Sequence, residues 1–336
     1  MMKNLIILTA HGLYCPQGDF YIDPIKPVAR AIITHAHADH ARKGCDHYLT
    51  ATPGLRLLQT RIGQYANIQP LNYGEKIQIN NVEISLHPAG HILGSAQIRL
   101  VYEGKIWVVS GDYKLEPDAT CAPFESVPCH TFITEATFGN PVYQWPAQAT
   151  VFAEINQWWR ANQAAGKTSI LLGYALGKAQ RLLAGLNPEL GPIYTHTAIE
   201  KLNTIYRLED IHLPDTLALN FYNKTTAWDK ALVLAPPSAL QSGWQKHFTH
   251  YNTAFASGWM QNNFRRWQQN FDQGFILSDH ADWPSLLSAI TRTGAEEIYV
   301  MHTESKHLVK HLQQQGVNAH MIDKLSVENK QLELHL

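Results

Sequence analysis

The sequence predicts an α/β protein of one large or two modest domains, on three observations. Through about Gly139 the chain is a succession of short apolar runs cut by Gly, Pro and Asn, which reads as mostly β. Beyond Gly139-Asn140-Pro141 it alternates helical and extended stretches, the pattern of a parallel α/β module. From Gly274 short apolar strands return and end in aspartate or histidine.

In order, strands are expected at 5–8, 20–22, 31–34, 82–86, 97–102, 106–110 and 132–134. One helix interrupts them at 53–61, with Thr52 as its cap and Pro53 at its first position. Next come a helix at 147–165, a strand at 169–173, a helix at 178–186, a strand at 193–195 and a helix at 198–206. Short strands at 232–234 and 254–256 flank a helix at 239–247. The strand 275–278 ends at Asp279-His280, Asp282 caps a helix with Pro284 in its first turn, and the strand 298–301 ends at His302.

A chain of 336 residues with 45% hydrophobic and 10% aromatic residues fills a packed interior and is not a disordered tail. A net charge of -1 neither requires nor excludes a polyanionic partner, because local patches and bound ions dominate the field at a site. Cys15, Cys45, Cys121 and Cys129 follow no zinc-finger or CxxC spacing, so reduced thiols in a cytoplasmic protein are expected. Residues 1–8 are too short and too soon interrupted to form a secretory or membrane segment, and they read as the first strand.

The run His35-Ala36-His37-Ala38-Asp39-His40 places four metal-competent side chains within six residues, directly after an apolar stretch. At a strand end, residues two apart share a face, so His35 and His37 can grip one ion while Asp39 and His40 turn toward another. A histidine-rich tract can also be a tag or a loose tail, but this one is internal and contains an acid. Asp23, His91 and Asp112 stand at the ends of further apolar runs; singly, such residues often cap turns or satisfy buried carbonyls.

Taken in order, Asp23, the His35–His40 run, His91 and Asp112 resemble the pattern of the metallo-β-lactamase fold superfamily. That resemblance implies an αββα sandwich with a two-metal site along one edge. It implies that His35, His37 and His91 hold one ion, that Asp39 and His40 hold the other, that Asp112 bridges, and that Asp23 orients ligands from outside the coordination shell.

Glu135 in Thr134-Glu135-Ala136, His280 in Asp279-His280-Ala281 and His302 in Met301-His302-Thr303 resemble three further motifs of the β-CASP nucleic-acid hydrolases. The resemblance implies a catalytic domain from 1–139 and 271–336, with an inserted α/β domain of the β-CASP type at 140–270. His302 would complete the second metal site. Gly12-Leu13-Tyr14-Cys15-Pro16, Gly173 to Gln180, Ser257-Gly258-Trp259-Met260 and Ser278 to Trp283 are similar to the bacterial ligase-associated DNA damage response exonucleases. That likeness implies a DNA exonuclease of repair associated with an ATP-dependent DNA ligase and a helicase; the alternative is a ribonuclease of RNA 3′-end processing or turnover.

The implied cofactors are two zinc ions, with manganese as a substitute, which lower the pKa of a bound water and clamp phosphoryl oxygens. The leaving oxygen still needs a proton, and His280 is the expected donor, with Glu135 fixing its tautomer and raising its proton affinity. The Gly173–Lys178 loop offers backbone N–H groups to a phosphate, with Lys178 and Gln180 as contacts. Ser257 and Trp259, with Phe264, Arg265, Arg266 and Trp267, are candidates for holding and stacking an unpaired strand, although aromatics at helical spacing are commonly core. A small-ester hydrolase would not need Glu135, His280 and the long insertion, and a non-catalytic subunit would not need every ligand position filled.

Overall fold

The computed structural model describes residues 4–219, 228–261, 271–302 and 304–326. The chain divides into two compact units, Met1–Val142 with His280–Leu336, and Tyr143–Asp279.

The first unit holds two sheets. One has six strands in the order Ile7–Thr9, Gly12–Cys15, Phe20–Ile22, Arg30–Ile32, His47–Ala51 and Ile68–Leu71. The other has seven, in the order Ala319–Met321, Glu297–Met301, Thr131–Glu135, Lys105–Val109, Ala96–Tyr102, Val82–Pro88 and Lys76–Ile79. Phe20, Ile22, Ile32 and Leu49 of the first sheet share one core with Ile84, Leu86, Ile98 and Leu100 of the second.

Strand alternation sends neighbours to opposite faces. Ile32 joins the shared core, while Ala31 and Ile33 pack outward with Leu58 and Ile62 of the helix Leu55–Ile62. On the second sheet Trp107, Val109 and Ile133 face inward, and Val108 and Phe132 face Leu286, Ile290, Leu308 and Leu312 of the helices Trp283–Thr293 and Ser305–Gln314. The layers therefore run helix, sheet, sheet, helices. Each fully buried Leu, Ile or Phe in them contributes about 1.5–3 kcal/mol of hydrophobic stabilisation.

The second unit is built on a six-stranded, wholly parallel sheet in the order Leu217–Ala218, Ile193–Thr195, Leu232–Ala235, Thr168–Leu172, Tyr251–Ala256 and Gln273–Phe275. Its central strands Thr168–Leu172 and Leu232–Ala235 are buried along their whole length, as parallel strands covered on both faces must be. Among the described residues no helix is long and apolar enough to cross a membrane.

Several elements depart from the sequence reading. Thr52 does not cap a helix; its hydroxyl donates to Asn72 Oδ1 at 2.9 Å, and a 3-10 turn, Thr52–Gly54, precedes the helix Leu55–Ile62. The helix expected at 239–247 is two 3-10 turns, Pro237–Ser242 and Trp244–His247, broken at Gly243 with φ of 73°. The strand expected at 275–278 is Gln273–Phe275, because the carbonyls of Leu277 and Ser278 accept from Lys178 and Arg181. Those two cations also hold Asp279, at 2.9 Å and 3.3 Å, which extends the second unit to Asp279 rather than to residue 270. Asp282 caps its helix as expected, accepting from Ser285 N–H at 3.0 Å.

Candidate metal centre

Parallel strands end together, and the chemistry gathers at their carboxyl ends. Phe20–Ile22 and Arg30–Ile32 run parallel and lead to Asp23 and His35. Lys105–Val109, Thr131–Glu135 and Glu297–Met301 run parallel and lead to Asp112, Glu135 and His302. His91 lies on the loop between two antiparallel strands, where Ser95 Oγ accepts from the N–H groups of His91 and Ile92 at 3.1 Å and 3.2 Å.

Glycine permits two of these approaches. Gly111, with φ of +57°, lies so close to Thr34 that a Cβ there would stand 2.7 Å from the threonine Cβ. Gly90, with φ of +72°, has the Lys114 carbonyl oxygen 2.3 Å from where its Cβ would be. A side chain at either position would displace Asp112 or His91. Asp23 and His302 themselves occupy the left-handed region, with φ of 43° and 78°, the kind of backbone strain that concentrates at functional sites.

Three groups of ligand-type atoms result: His35, His37, His91 and Asp112; His40, Asp112 and His302; and Asp112, Glu135 and His280. In the first, His35 Nε2 and His91 Nε2 lie 3.0 Å and 3.1 Å from His37 Nδ1, and 3.5 Å and 3.8 Å from Asp112 Oδ2. Ligands bonded to one tetrahedral ion at about 2.0–2.1 Å stand about 3.3 Å apart, so this spacing suits a shared cation. In the second, His40 Nε2 is 3.4 Å from Asp112 Oδ2 and His302 Nε2 is 3.5 Å from Asp112 Oδ1. Asp112 Oδ1 is buried and lacks a hydrogen-bond partner among the described residues, an orphaned acceptor that a cation would satisfy.

A second layer fixes the rings. His40 Nδ1 meets Asp23 Oδ2 at 2.7 Å, which leaves Nε2 with the lone pair. Thr34 donates its hydroxyl to the same Asp23 oxygen at 2.5 Å and accepts from His35 Nδ1 at 3.0 Å, so His35 also presents Nε2 inward. Thr34 was not foreseen; a threonine before a histidine carries no periodic or spacing signal. Asp39 stands apart: its side chain is 76% exposed and Oδ2 lies 3.7 Å from His40 Nε2.

Electrostatics follow from the crowding. Burial, with His40 beside it, holds His35 well below its ordinary pKa. Burial also opposes charge on His40, but Asp112 and Asp23 outweigh it and raise His40 well above the usual value. Burial resists ionisation of Asp112, and His40, His280 and His302 overcome it, keeping the carboxyl well below the carboxylate range.

His280 Nδ1 lies 3.1 Å from both Glu135 oxygens, and Glu135, fully buried, also accepts from the Tyr113 N–H at 2.8 Å. The His280 ring lies 4.7 Å from that of His91. Elsewhere, Ser85, His87 and Glu125 line up as hydroxyl, imidazole and carboxylate at 3.0 Å and 2.9 Å, but Ser85 is buried and the chain braces a strand.

The proposed strand contacts fare differently. Lys178 is buried, donating to the Leu277 carbonyl at 2.6 Å and pairing with Asp279. Gln180 is buried as well; its Oε1 accepts from Gly177 N–H at 2.8 Å and its Nε2 donates to Asn203 at 2.8 Å. Both are used by the fold, which corrects their reading as phosphate contacts. Ser257 is buried with its N–H on the Phe275 carbonyl at 3.0 Å, and Trp259 is half-buried, its ring edge-on to Tyr143 at 5.9 Å. Phe264, Arg265, Arg266 and Trp267 lie outside the described residues.

No protein-family model matches the chain. It is 30% identical to a protein of Opitutus terrae named "Probable DNA ligase" over 97% of this chain and 31% of that one. It is 29% identical to the "RNase J-like protein" of Methanocaldococcus jannaschii over 54% of this chain and 50% of the relative. With the "Transcription termination factor FttA" of Methanosarcina mazei the identity is 26%, over 63% of this chain and 39% of the relative. The chain thus spans from 31% to 50% of the length of these relatives. The chain is similar to proteins named as a probable DNA ligase, an RNase J-like protein and a transcription termination factor, and its convergent histidine and aspartate clusters offer ligand atoms for metal ions.

Proposed function

We propose that this chain hydrolyses phosphodiester bonds of nucleic acid with two divalent ions, as a DNA exonuclease that prepares ends for ligation. Asp112 carries this reading, because it belongs to both histidine groups: its Oδ2 lies 3.5 Å, 3.8 Å and 3.4 Å from His35, His91 and His40, and its Oδ1 lies 3.5 Å from His302. His35, His37, His91 and Asp112 would hold one ion, and His40, His302 and Asp112, joined by Asp39, would hold the other. Imidazole with carboxylate suits zinc, and manganese is the expected substitute. When bound, the pair supplies a water ionised near neutral pH and neutralises phosphoryl charge.

The residues do the rest. Asp23 and Thr34 hold two rings in the ligating tautomer. Glu135 accepts a hydrogen bond from Nδ1–H of His280 and raises the proton affinity of the ring, which leaves the Nε2 proton for the departing sugar oxygen. Every one of these residues belongs to the first unit.

DNA is favoured by the ligase-named relative, which matches nearly the whole chain and has two thirds of its own length outside the match. A ligase and a helicase are accordingly the proposed functional associates. The RNase J-like relative supports the second reading, a ribonuclease acting at RNA ends. Matched single-stranded DNA and RNA, labelled at one end, separate them. A gradual ladder from DNA with intact RNA supports the first reading; a ladder from RNA alone establishes the second.

A further inference from the structure

The segment directly after the metal-ligand run is fixed in backbone yet free in side chain. A turn closes on His37, whose carbonyl accepts from the N–H groups of His40 and Ala41 at 3.2 Å and 2.9 Å. Ala41 then packs with Leu58 and Ile62 of the helix Leu55–Ile62. Beyond it, the buried Tyr48 spends its hydroxyl on the loop: it donates to the Arg42 carbonyl at 2.7 Å and accepts from Cys45 N–H at 2.9 Å. Gly44, at φ of +93°, lets the loop lie against Pro27.

The side chains on this braced loop, Arg42 and Lys43, are exposed, and among the described residues neither has an acidic partner. From the adjoining helix Arg61 reaches the metal loop, its Nε donating to the Ala36 carbonyl between His35 and His37 at 3.4 Å, with no acidic partner among the described residues. Exposed cations commonly pair with acids or wave in solvent. Here three stand beside a run of metal ligands in a chain whose net charge is only -1, and a buried tyrosine holds their loop in place. Rigid backbone lowers the entropy lost when such side chains are ordered by a ligand.

We infer that Arg42, Lys43 and Arg61 form a track for the phosphate backbone of a single strand, next to the phosphate being cut. This rests on the reading of the metal centre as a nucleic-acid phosphodiesterase and adds where the strand runs. The ligand is the sugar–phosphate chain, recognised by charge and not by base, so the track is indifferent to sequence.

The test is steady-state cleavage of a fluorescein-labelled oligothymidylate by zinc- or manganese-loaded protein across a potassium chloride series. Replacing Arg42→Gln and Lys43→Gln together keeps polar stems on an exposed loop. The expected result is a KM raised about fivefold or more, kcat changed less than about twofold, and a salt slope of log KM shallower by about 1.4, or about 0.7 for each lost phosphate contact. Arg61→Gln is expected to raise KM in the same direction. A double variant with unchanged KM and unchanged slope overturns the track while leaving the nuclease reading intact. A wild-type protein that cleaves neither the oligonucleotide nor bis(p-nitrophenyl) phosphate overturns the reading beneath it.

Discussion

Asp23 and His40 meet at 2.7 Å, and the same Asp23 oxygen receives the Thr34 hydroxyl that serves His35. One carboxylate thus orients an imidazole in each of the two histidine groups that share Asp112. Asp23→Asn is expected to weaken binding of both ions by about 10–100-fold, measured by competition with a chromophoric chelator. Loss confined to one ion, or no loss, would take Asp23 out of this role.

His280 touches Glu135 through Nδ1 and lies outside the two histidine groups. His280→Ala should keep two ions per chain, by elemental analysis, and lose about 10²–10⁴-fold in kcat. Equal activity in the variant would require another proton donor.

Asp279 pairs with Lys178 at 2.9 Å and with Arg181 at 3.3 Å, and all three are buried. Asp279→Ala would take a buried carboxylate from two buried cations, so urea unfolding should show a loss of about 3–5 kcal/mol. A loss under about 1 kcal/mol would mean that water reaches the cluster and screens it.

Burial pushes the Cys15 thiol up to about 11 and the Cys129 thiol up to about 12, whereas Cys45 and Cys121 are partly exposed. The thiolate is the reactive form, and a raised pKa keeps it scarce until the pH approaches those values. Native protein at pH 8 should therefore titrate at no more than two thiols with a disulfide reagent, and at all four in denaturant. Rapid modification of Cys15 in the folded protein would contradict its burial.

Legibility in the sequence varied with the kind of force at work. The strand Phe20–Ile22 and the cap at Asp282 were readable because apolar runs and capping residues act locally. The strands Gly12–Cys15, His47–Ala51 and Ile68–Leu71 were missed: His47, Thr50, Gln69 and Pro70 dilute the apolar pattern, and pairing with neighbours decides them. In the site, His35 to His40, His91, Asp112, Glu135, His280 and His302 were nameable as motifs, and the structure brings all but Asp39 into tight groups. Thr34, Ser95 and Tyr48 were not, since a hydroxyl that braces a loop leaves no mark on spacing. Lys178 and Gln180 misled because a glycine-containing strand-to-helix loop looks the same whether it cradles a phosphate or its own helix end.

The most direct test is cleavage of end-labelled single-stranded DNA by chelator-stripped protein before and after zinc or manganese is restored, with Asp112→Asn alongside. No product is expected from stripped protein, a ladder is expected on reconstitution, and none from Asp112→Asn. Equal cleavage by the stripped protein, or a full ladder from the Asp112 variant, would contradict a two-metal site centred on that carboxylate.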